Sequence, residues 1–192
     1  MIFCEGRRSE PEYIAAIKRI SEVAARAAIN IVIDVSQGVP LTLVRNAVER
    51  KRDPEIDECW CVFDVEWPRN HPNLKQAISL ARDHGIGVAI SNPCFELWLI
   101  LHFEGLSRFS ENAAVERRSK ELDGRAGKGI DAALYMPRRK DAVRRARELA
   151  ARHERNGVVF PHDNPSSSMA DLLAAIDPDL GEQESARDRP DT

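Results

Sequence analysis

This sequence of 192 residues lacks long apolar runs, an export signal and any pairing pattern among its cysteines. No stretch approaches the roughly 18 apolar residues of a membrane span, and the N-terminus has neither the basic start nor the apolar core of a signal peptide. The four cysteines, Cys4, Cys59, Cys61 and Cys94, show no CxxC spacing, and each lies in or beside an apolar stretch. We therefore expect reduced, buried thiols in a cytoplasmic protein that does not contact a membrane.

Two familiar catalytic motifs are also missing. The glycines between positions 124 and 129 lack the spacing of a phosphate-binding P-loop and follow no predicted strand. Ser91 is not part of a GxSxG motif, which leaves an esterase without support. Aromatic residues make up only 6% of the chain, which does not favour base stacking along an extended nucleic-acid strand.

The first part of the chain alternates between strand-like and helix-like segments, which predicts an α/β fold with a mainly parallel sheet flanked by helices. We expect this core over residues 1–105, a helical extension over 106–176 and a disordered acidic tail over 177–192. The predicted strands are 1–4, 29–35, 59–65 and 86–90; the predicted helices are 10–28, 41–51, 74–84, 95–103, 110–121, 138–155 and 168–176. Ser9 and Asn92 are candidate N-caps for the helices that follow them.

Acidic residues stand at the ends of two of the predicted strands: Glu5 directly after the first, and Asp64 and Glu66 at the end of the third. Ligands bind beyond the carboxyl ends of the strands in an open parallel sheet, and alternation along a strand places Asp64 and Glu66 on the same side. Three convergent carboxylates without His or Cys indicate a site for Mg²⁺ or Mn²⁺. The alternative is that these are ordinary solvated acids at the starts of loops.

Glu96 is the only carboxylate in the otherwise apolar segment 93–103. It is either a first-turn acid that complements the helix dipole or a fourth acidic group at the same cation site. His102, at the far end of this segment, is more typical of a hydrogen-bonded core histidine than of a catalyst.

The segment 138–155 is strongly basic and predicts an amphipathic helix with a positively charged face. Such a face is usually only solvated, but near an acidic metal site it could also position a phosphodiester backbone. The candidate phosphate-binding residues are Lys128, Arg138, Arg139, Lys140, Arg144 and Arg147.

The net charge of −3 does not exclude a nucleic-acid substrate. Residues 177–192 hold six acidic residues and two arginines and so contribute −4, which leaves +1 on the remainder of the chain. In that remainder, acidic residues collect at strand ends and basic residues collect on one late helix. The small total is therefore an average over an acidic tail, an acidic site and a basic face.

Four segments together resemble the RloB-like family. They are CEGRRSEPEY at 4–13, FDVE at 63–66, SNPCFELWLILHF at 91–103 and NPSS at 164–167. The likeness extends from residue 2 to about residue 173, and the third segment is the most specific. Two features depart from the family pattern: Glu66 replaces the second aspartate of a DxD motif, and only three residues precede Cys4. The second departure suggests a shortened first strand or a start further upstream.

The resemblance implies a Toprim-like fold and a metal-dependent phosphodiesterase, because the RloB-like family is similar to Toprim-type nucleases. It implies Glu5 as the general acid/base, Asp64 and Glu66 as Mg²⁺ ligands, and Glu10 and Glu96 as additional acids of the site. It also implies a role as the effector of a bacterial anti-phage (abortive-infection) system beside an ABC-type ATPase partner. The sequence leaves two alternatives open, a non-catalytic toxin or sensor subunit that binds the ATPase and a small-molecule phosphotransfer enzyme.

Overall fold

A computed structural model describes residues 1–26, 28–33, 39–177 and 180. Its five-stranded sheet has the order β2-β1-β3-β4-β5, with the first four strands parallel and β5 antiparallel to β4. The α/β class predicted from the alternating pattern is therefore confirmed. The strands are β1 Ile2–Cys4, β2 Ile31–Ile33, β3 Trp60–Asp64, β4 Gly87–Asn92 and β5 Ser166–Ser167. The helices are α1 Ser9–Ile17, α2 Ser21–Arg26, α3 Pro40–Arg50, α4 Leu74–Asp83, α5 Glu96–Leu101, α6 Asn112–Asp123, α7 Ala132–Tyr135, α8 Arg139–Arg155 and α9 Met169–Ile176, with a 3-10 turn over Met136–Arg138.

Alternation along the strands separates two hydrophobic layers. Phe3, Cys61 and Phe63 pack on one face of the sheet against α3 and α4. Side chains such as Cys4 and Val62 point to the other face, where α1, α5, α8 and α9 pack. The segment predicted as a helical extension therefore shares a core with the α/β segment and also supplies the edge strand β5. All four cysteines are free and buried, as predicted.

Several predicted boundaries differ in the structure. The single helix expected over 10–28 is two helices, because the Arg19 and Ile20 amides donate to carbonyls three residues back, which tightens the chain into a turn before Ser21. Ser9 does not cap α1; its hydroxyl donates to the Lys128 carbonyl. Asn92 does not cap α5 either, since it belongs to β4 and its amide donates to the Pro161 carbonyl and to Asp163.

The packed part of the chain extends past the predicted start of the tail. Asp177 is buried and pairs with Arg139, with 2.7 Å between the carboxylate and the guanidinium Nε, and Leu180 is also buried. The rest of the predicted tail, residues 178–179 and 181–192, lies outside the described residues, as do residues 34 and 35 of the predicted second strand. Among the helices that the structure describes, none has the length and apolar character needed to cross a membrane.

Candidate active site

An acidic cavity of about 430 Å³ lies beyond the carboxyl ends of β1, β3 and β4. Parallel pairing of β1 with β3 and of β3 with β4 brings these ends together. The strands that carry the acids must be adjacent in this way if the acids are to share one site. The carboxylates that line the cavity belong to Glu5, Glu10, Asp64, Glu66, Glu96 and Glu116, and the basic residues to Arg7, Arg8 and Lys128. All five acids predicted for the site therefore line one cavity.

Among the acids that line the cavity, Asp64 is the one with a buried, unpartnered carboxylate oxygen. It ends β3, and its Oδ1 is shielded from solvent and has no hydrogen-bond partner. Burial raises the pKa of the Asp64 carboxyl well above its usual range, and the charges of Glu10, Glu96 and Glu5 raise it further. A buried carboxylate oxygen that faces three other acids without a cationic partner is an arrangement that a bound cation would stabilise.

Glu10 lies in the first turn of α1 and is 8% exposed. Burial, together with the charges of Glu96 and Glu5, raises its pKa to about 7, while Lys128 acts in the opposite direction. The position is open to Glu10 only because residue 6 is glycine: a Cβ atom there would lie 2.0–2.2 Å from the Glu10 carboxyl group. The chain thus places a carboxyl group that titrates near neutral pH against the other acids.

Glu5 is held at the end of β1 by contacts with β3 and with the loop that follows it. The Glu5 amide donates to the Val62 carbonyl at 3.0 Å, and the Asp64 amide donates to Glu5 Oε2 at 3.3 Å. His71 Nε2 lies 2.9 Å from Glu5 Oε1. This interaction raises the pKa of His71 above its usual value, so that the imidazolium form is favoured beside the carboxylate.

Glu66 does not sit where extended alternation would place it. The strand ends at Asp64, and Glu66 has a left-handed backbone with φ of 65°. Its carboxylate accepts a hydrogen bond from the side-chain amide nitrogen of Asn112 at the start of α6. Glu66 and Asp64 do line the same cavity. They do so because the backbone turns at Glu66, and not because the two residues alternate along one extended strand.

Glu96 begins α5 and faces Asp64 and Glu10 on one side and Arg125 on the other, where 3.9 Å separate its carboxylate from the guanidinium. Arg125 is also paired with Asp123 and donates to Ser119 at 2.9 Å. This buried arginine explains how an acid is accommodated in an otherwise apolar segment.

The loop over residues 124–130 closes one side of the cavity. It is tied to α1 by the Ser9 hydroxyl, which donates to the Lys128 carbonyl at 2.9 Å, and by Glu12, which accepts from the Ile130 amide at 2.8 Å. Lys128 reaches the cavity through this loop. The glycine-rich segment that does not match a P-loop thus serves to position a single lysine.

The other predicted phosphate-binding residues do not line this cavity. Arg144 pairs with Glu148 at 2.7 Å and with Asp141 at 3.4 Å. Arg147 lines a separate, mainly apolar cavity of about 530 Å³ between α8, β5 and α9. Arg138 lies over the Phe103 ring, Arg139 pairs with Asp177, and Lys140 is exposed. Their role in binding phosphate stays a prediction.

His102 has the core role predicted for it. Its Nδ1 donates to the Trp98 carbonyl at 2.9 Å, so that Nε2 is left to accept from the Tyr13 hydroxyl at 3.0 Å. Burial lowers its pKa to about 3, which keeps the ring neutral. His102 is therefore a structural residue rather than part of the cavity.

Sequence reasoning overlooked five charged or amide-bearing residues at the cavity or in contact with its acids: Arg7, Arg8, His71, Asn112 and Glu116. Arg7 and Arg8 could have been found, because they follow directly on Glu5 and Gly6 at the end of a strand. His71 and Asn112 lie in segments with no motif, and only the folded chain shows that they contact Glu5 and Glu66.

The donor set of the cavity suits a hard divalent cation, since it consists of carboxylate oxygens and includes an unpartnered buried one on Asp64. Over residues 1–26, 28–33, 39–177 and 180, however, no three carboxylate, imidazole or thiol groups stand at metal-binding geometry. Glu5 and Glu66 are instead turned to His71 and Asn112. The chemistry of the residues nevertheless fits a cation.

Fold and site together define a mainly parallel α/β protein with an acidic cavity at the carboxyl ends of its strands. The chain belongs to the RloB-like family, whose model, described as RloB-like protein, matches residues 1–176. Neither the curated proteins nor the solved structures include a match to this chain.

Proposed function

We propose that this chain is a metal-dependent nuclease that hydrolyses phosphodiester bonds of RNA or DNA at the acidic cavity. The observation that carries the proposal is Asp64 Oδ1, which is buried without a partner among other carboxylates. Mutual repulsion in such a cluster is relieved by a cation, and oxygen donors of this kind select Mg²⁺ or Mn²⁺. Family membership and the resemblance to Toprim-type nucleases support the same activity.

The residues divide into three roles. Asp64 and Glu66 would hold the ion together with Glu5; when bound, it would polarise the phosphoryl oxygen and stabilise the leaving oxygen. Glu5 moves the proton at the scissile oxygen, and its carboxylate lies 2.9 Å from His71 Nε2. Glu10 and Glu96 face Asp64 and add negative charge to the ion site.

Substrate phosphates would bind at the rim of the cavity. Arg7 and Arg8 follow the end of β1, and Lys128 approaches from the opposite loop. These cations would pair with the backbone phosphates on either side of the scissile bond. The basic face of α8 would then contact phosphates further along the strand, as the sequence predicts.

We also propose that the protein is the effector of a bacterial anti-phage system with an ABC-type ATPase as its partner, on the basis of what the RloB-like resemblance implies. The rival function is a non-catalytic toxin or sensor subunit that binds the same ATPase. One observation favours the rival: within the described ranges no preassembled metal geometry is present.

A cleavage assay tests the proposal. Labelled single-stranded RNA and DNA are incubated with the purified chain, with and without the partner ATPase, in Mg²⁺ or in EDTA. We expect Mg²⁺-dependent cleavage that Asp64→Asn and Glu5→Gln abolish. Asp64→Asn is expected to fold, because the neutral form is the one that burial favours. The matched control is Glu22→Gln on the exposed side of α2, which should cut like wild type.

Cleavage by Asp64→Asn at the wild-type rate would refute the mechanism. Toxicity on expression separates the two functions when no cleavage is detected in vitro. Toxicity that Glu5→Ala abolishes supports the nuclease, and toxicity that Glu5→Ala leaves unchanged supports the binding subunit.

A further inference from the structure

A half-buried tryptophan, Trp67, and an exposed phenylalanine, Phe109, form an aromatic pair, and Trp67 comes directly after Glu66, an acid of the cavity. The two ring centroids are 5.3 Å apart, and the ring planes stand at 88°. Phe109 is 57% exposed, and Val159 is the other large apolar side chain with such exposure in the described part of the chain. More than half of the Phe109 surface is left in solvent, where it is available to a ligand.

The pair is fixed to the cavity through one side chain. Trp67 follows Glu66 directly, and its backbone amide donates to Asn112 Oδ1 at 2.9 Å. The amide nitrogen of the same Asn112 donates to the Glu66 carboxylate. A displacement of the tryptophan is therefore coupled to a displacement of an acid of the proposed ion site.

The segment that carries Phe109 is also rigid. The buried side chain of Asn164 accepts from the Ser110 amide at 3.1 Å and donates to the Ser110 carbonyl at 2.9 Å. The Ser110 hydroxyl in turn donates to the Arg108 carbonyl at 3.1 Å. The phenyl ring is thus exposed on an anchored backbone, which lowers the entropy that a ligand must remove on binding.

Positive charge accompanies the aromatic pair. Arg108 precedes Phe109, and Arg69 follows Trp67 by two residues; both are exposed. Aromatic rings flanked by arginines, beside a site for a phosphodiester, match the chemistry of an unpaired nucleotide, with a base to stack and phosphates to pair.

We infer that Trp67 and Phe109 form a stacking site for one unpaired nucleobase next to the scissile phosphate, so that the substrate is single-stranded nucleic acid or a single-stranded loop. This inference rests on the proposed nuclease function and names its substrate class. A base held in a duplex does not present its face to the pair. The site accepts one base rather than a row of bases, in keeping with the low aromatic content of the chain.

Fluorescence anisotropy in an Asp64→Asn background tests the inference without cleavage. The probes are a labelled single-stranded RNA, the single-stranded DNA of the same sequence, and each of these in a duplex. Phe109→Ala should weaken single-strand binding about tenfold, since it removes the ring on which the base stacks. It should leave the weaker duplex binding unchanged. Phe109→Trp should restore the affinity, whereas Phe109→Leu, which is apolar but has no ring, should not.

Two controls make the result specific. Val159→Ala removes the other exposed apolar side chain and should leave single-strand binding unchanged. A single strand with an abasic nucleotide at the stacked position should bind the parent (Asp64→Asn alone) more weakly than the intact strand does. Phe109→Ala in the same background should bind the two strands equally.

Equal binding of single strands by Phe109→Ala and its parent would overturn the inference and leave the pair as a surface for a protein partner. Equal losses for single strand and duplex, or no binding of any probe, would also overturn it. The cleavage assay with Asp64 intact tests the nuclease function separately. If single-strand binding depends on Phe109 but no Mg²⁺-dependent cleavage occurs, the nuclease function is refuted and the stacking site is not.

Discussion

Replacing Glu10 by glutamine should stabilise the protein, and the gain should grow with pH. The pKa of Glu10 is about 7 in the folded chain against an ordinary value of 4.5, because the side chain is buried and faces Glu96 and Glu5. Between these values the folded state binds more protons than the unfolded state, so that ionised Glu10 lowers stability as the pH rises. The pKa difference corresponds to a cost of about 3 kcal/mol, as an upper value, at about 1.36 kcal/mol per pKa unit.

Urea denaturation in EDTA, followed by tryptophan fluorescence, measures this effect. The gain from Glu10→Gln should be largest above pH 7 and should vanish as the pH is lowered toward 4.5. Glu22→Gln removes an exposed carboxylate from α2 and should change stability little at any pH. A gain that does not vary with pH, or a loss above pH 7, would show that burial and the charges of Glu96 and Glu5 do not raise the pKa of Glu10.

Two further substitutions test the packing around the acids. Gly6→Ala places a Cβ where the Glu10 carboxyl group lies and should displace it, so that Glu10→Gln no longer changes the pH dependence of stability in this background; an unaltered effect would contradict the close approach. Arg125→Met leaves Asp123, which is 2% exposed, without its cation and should cost about 3–5 kcal/mol by urea denaturation. The double variant with Asp123→Asn should lose less than Arg125→Met alone, and an equal loss would argue against the ion pair.

The sequence predicts the site better than it predicts the contacts that shape it. Glu5 and Asp64 could be placed together because parallel strands end at the same edge of a sheet, and the pairing of β1 with β3 agrees. The left-handed turn at Glu66 could not be foreseen, because alternation describes extended backbone only. The contact that the Glu66 carboxylate makes there is with Asn112, 46 residues away, and leaves no local pattern either.

The same reasoning explains the missed strand and the misassigned caps. β5 has only two residues and therefore shows no alternation to detect. Ser9 and Asn92 have the residue types of N-caps, but their side chains bond to partners 119 and 69 or more residues distant. Local propensity is a weak prior, and tertiary contacts override it at both positions.

The two bonds between α1 and the loop over residues 124–130 affect when the cavity can form as the chain is made. Ser9 and Glu12 leave the ribosome long before Lys128 and Ile130, which they bind. Until then the acids of the cavity have no loop to close over them, and Lys128 is not yet available beside them. The enclosed cavity is therefore completed only late in synthesis.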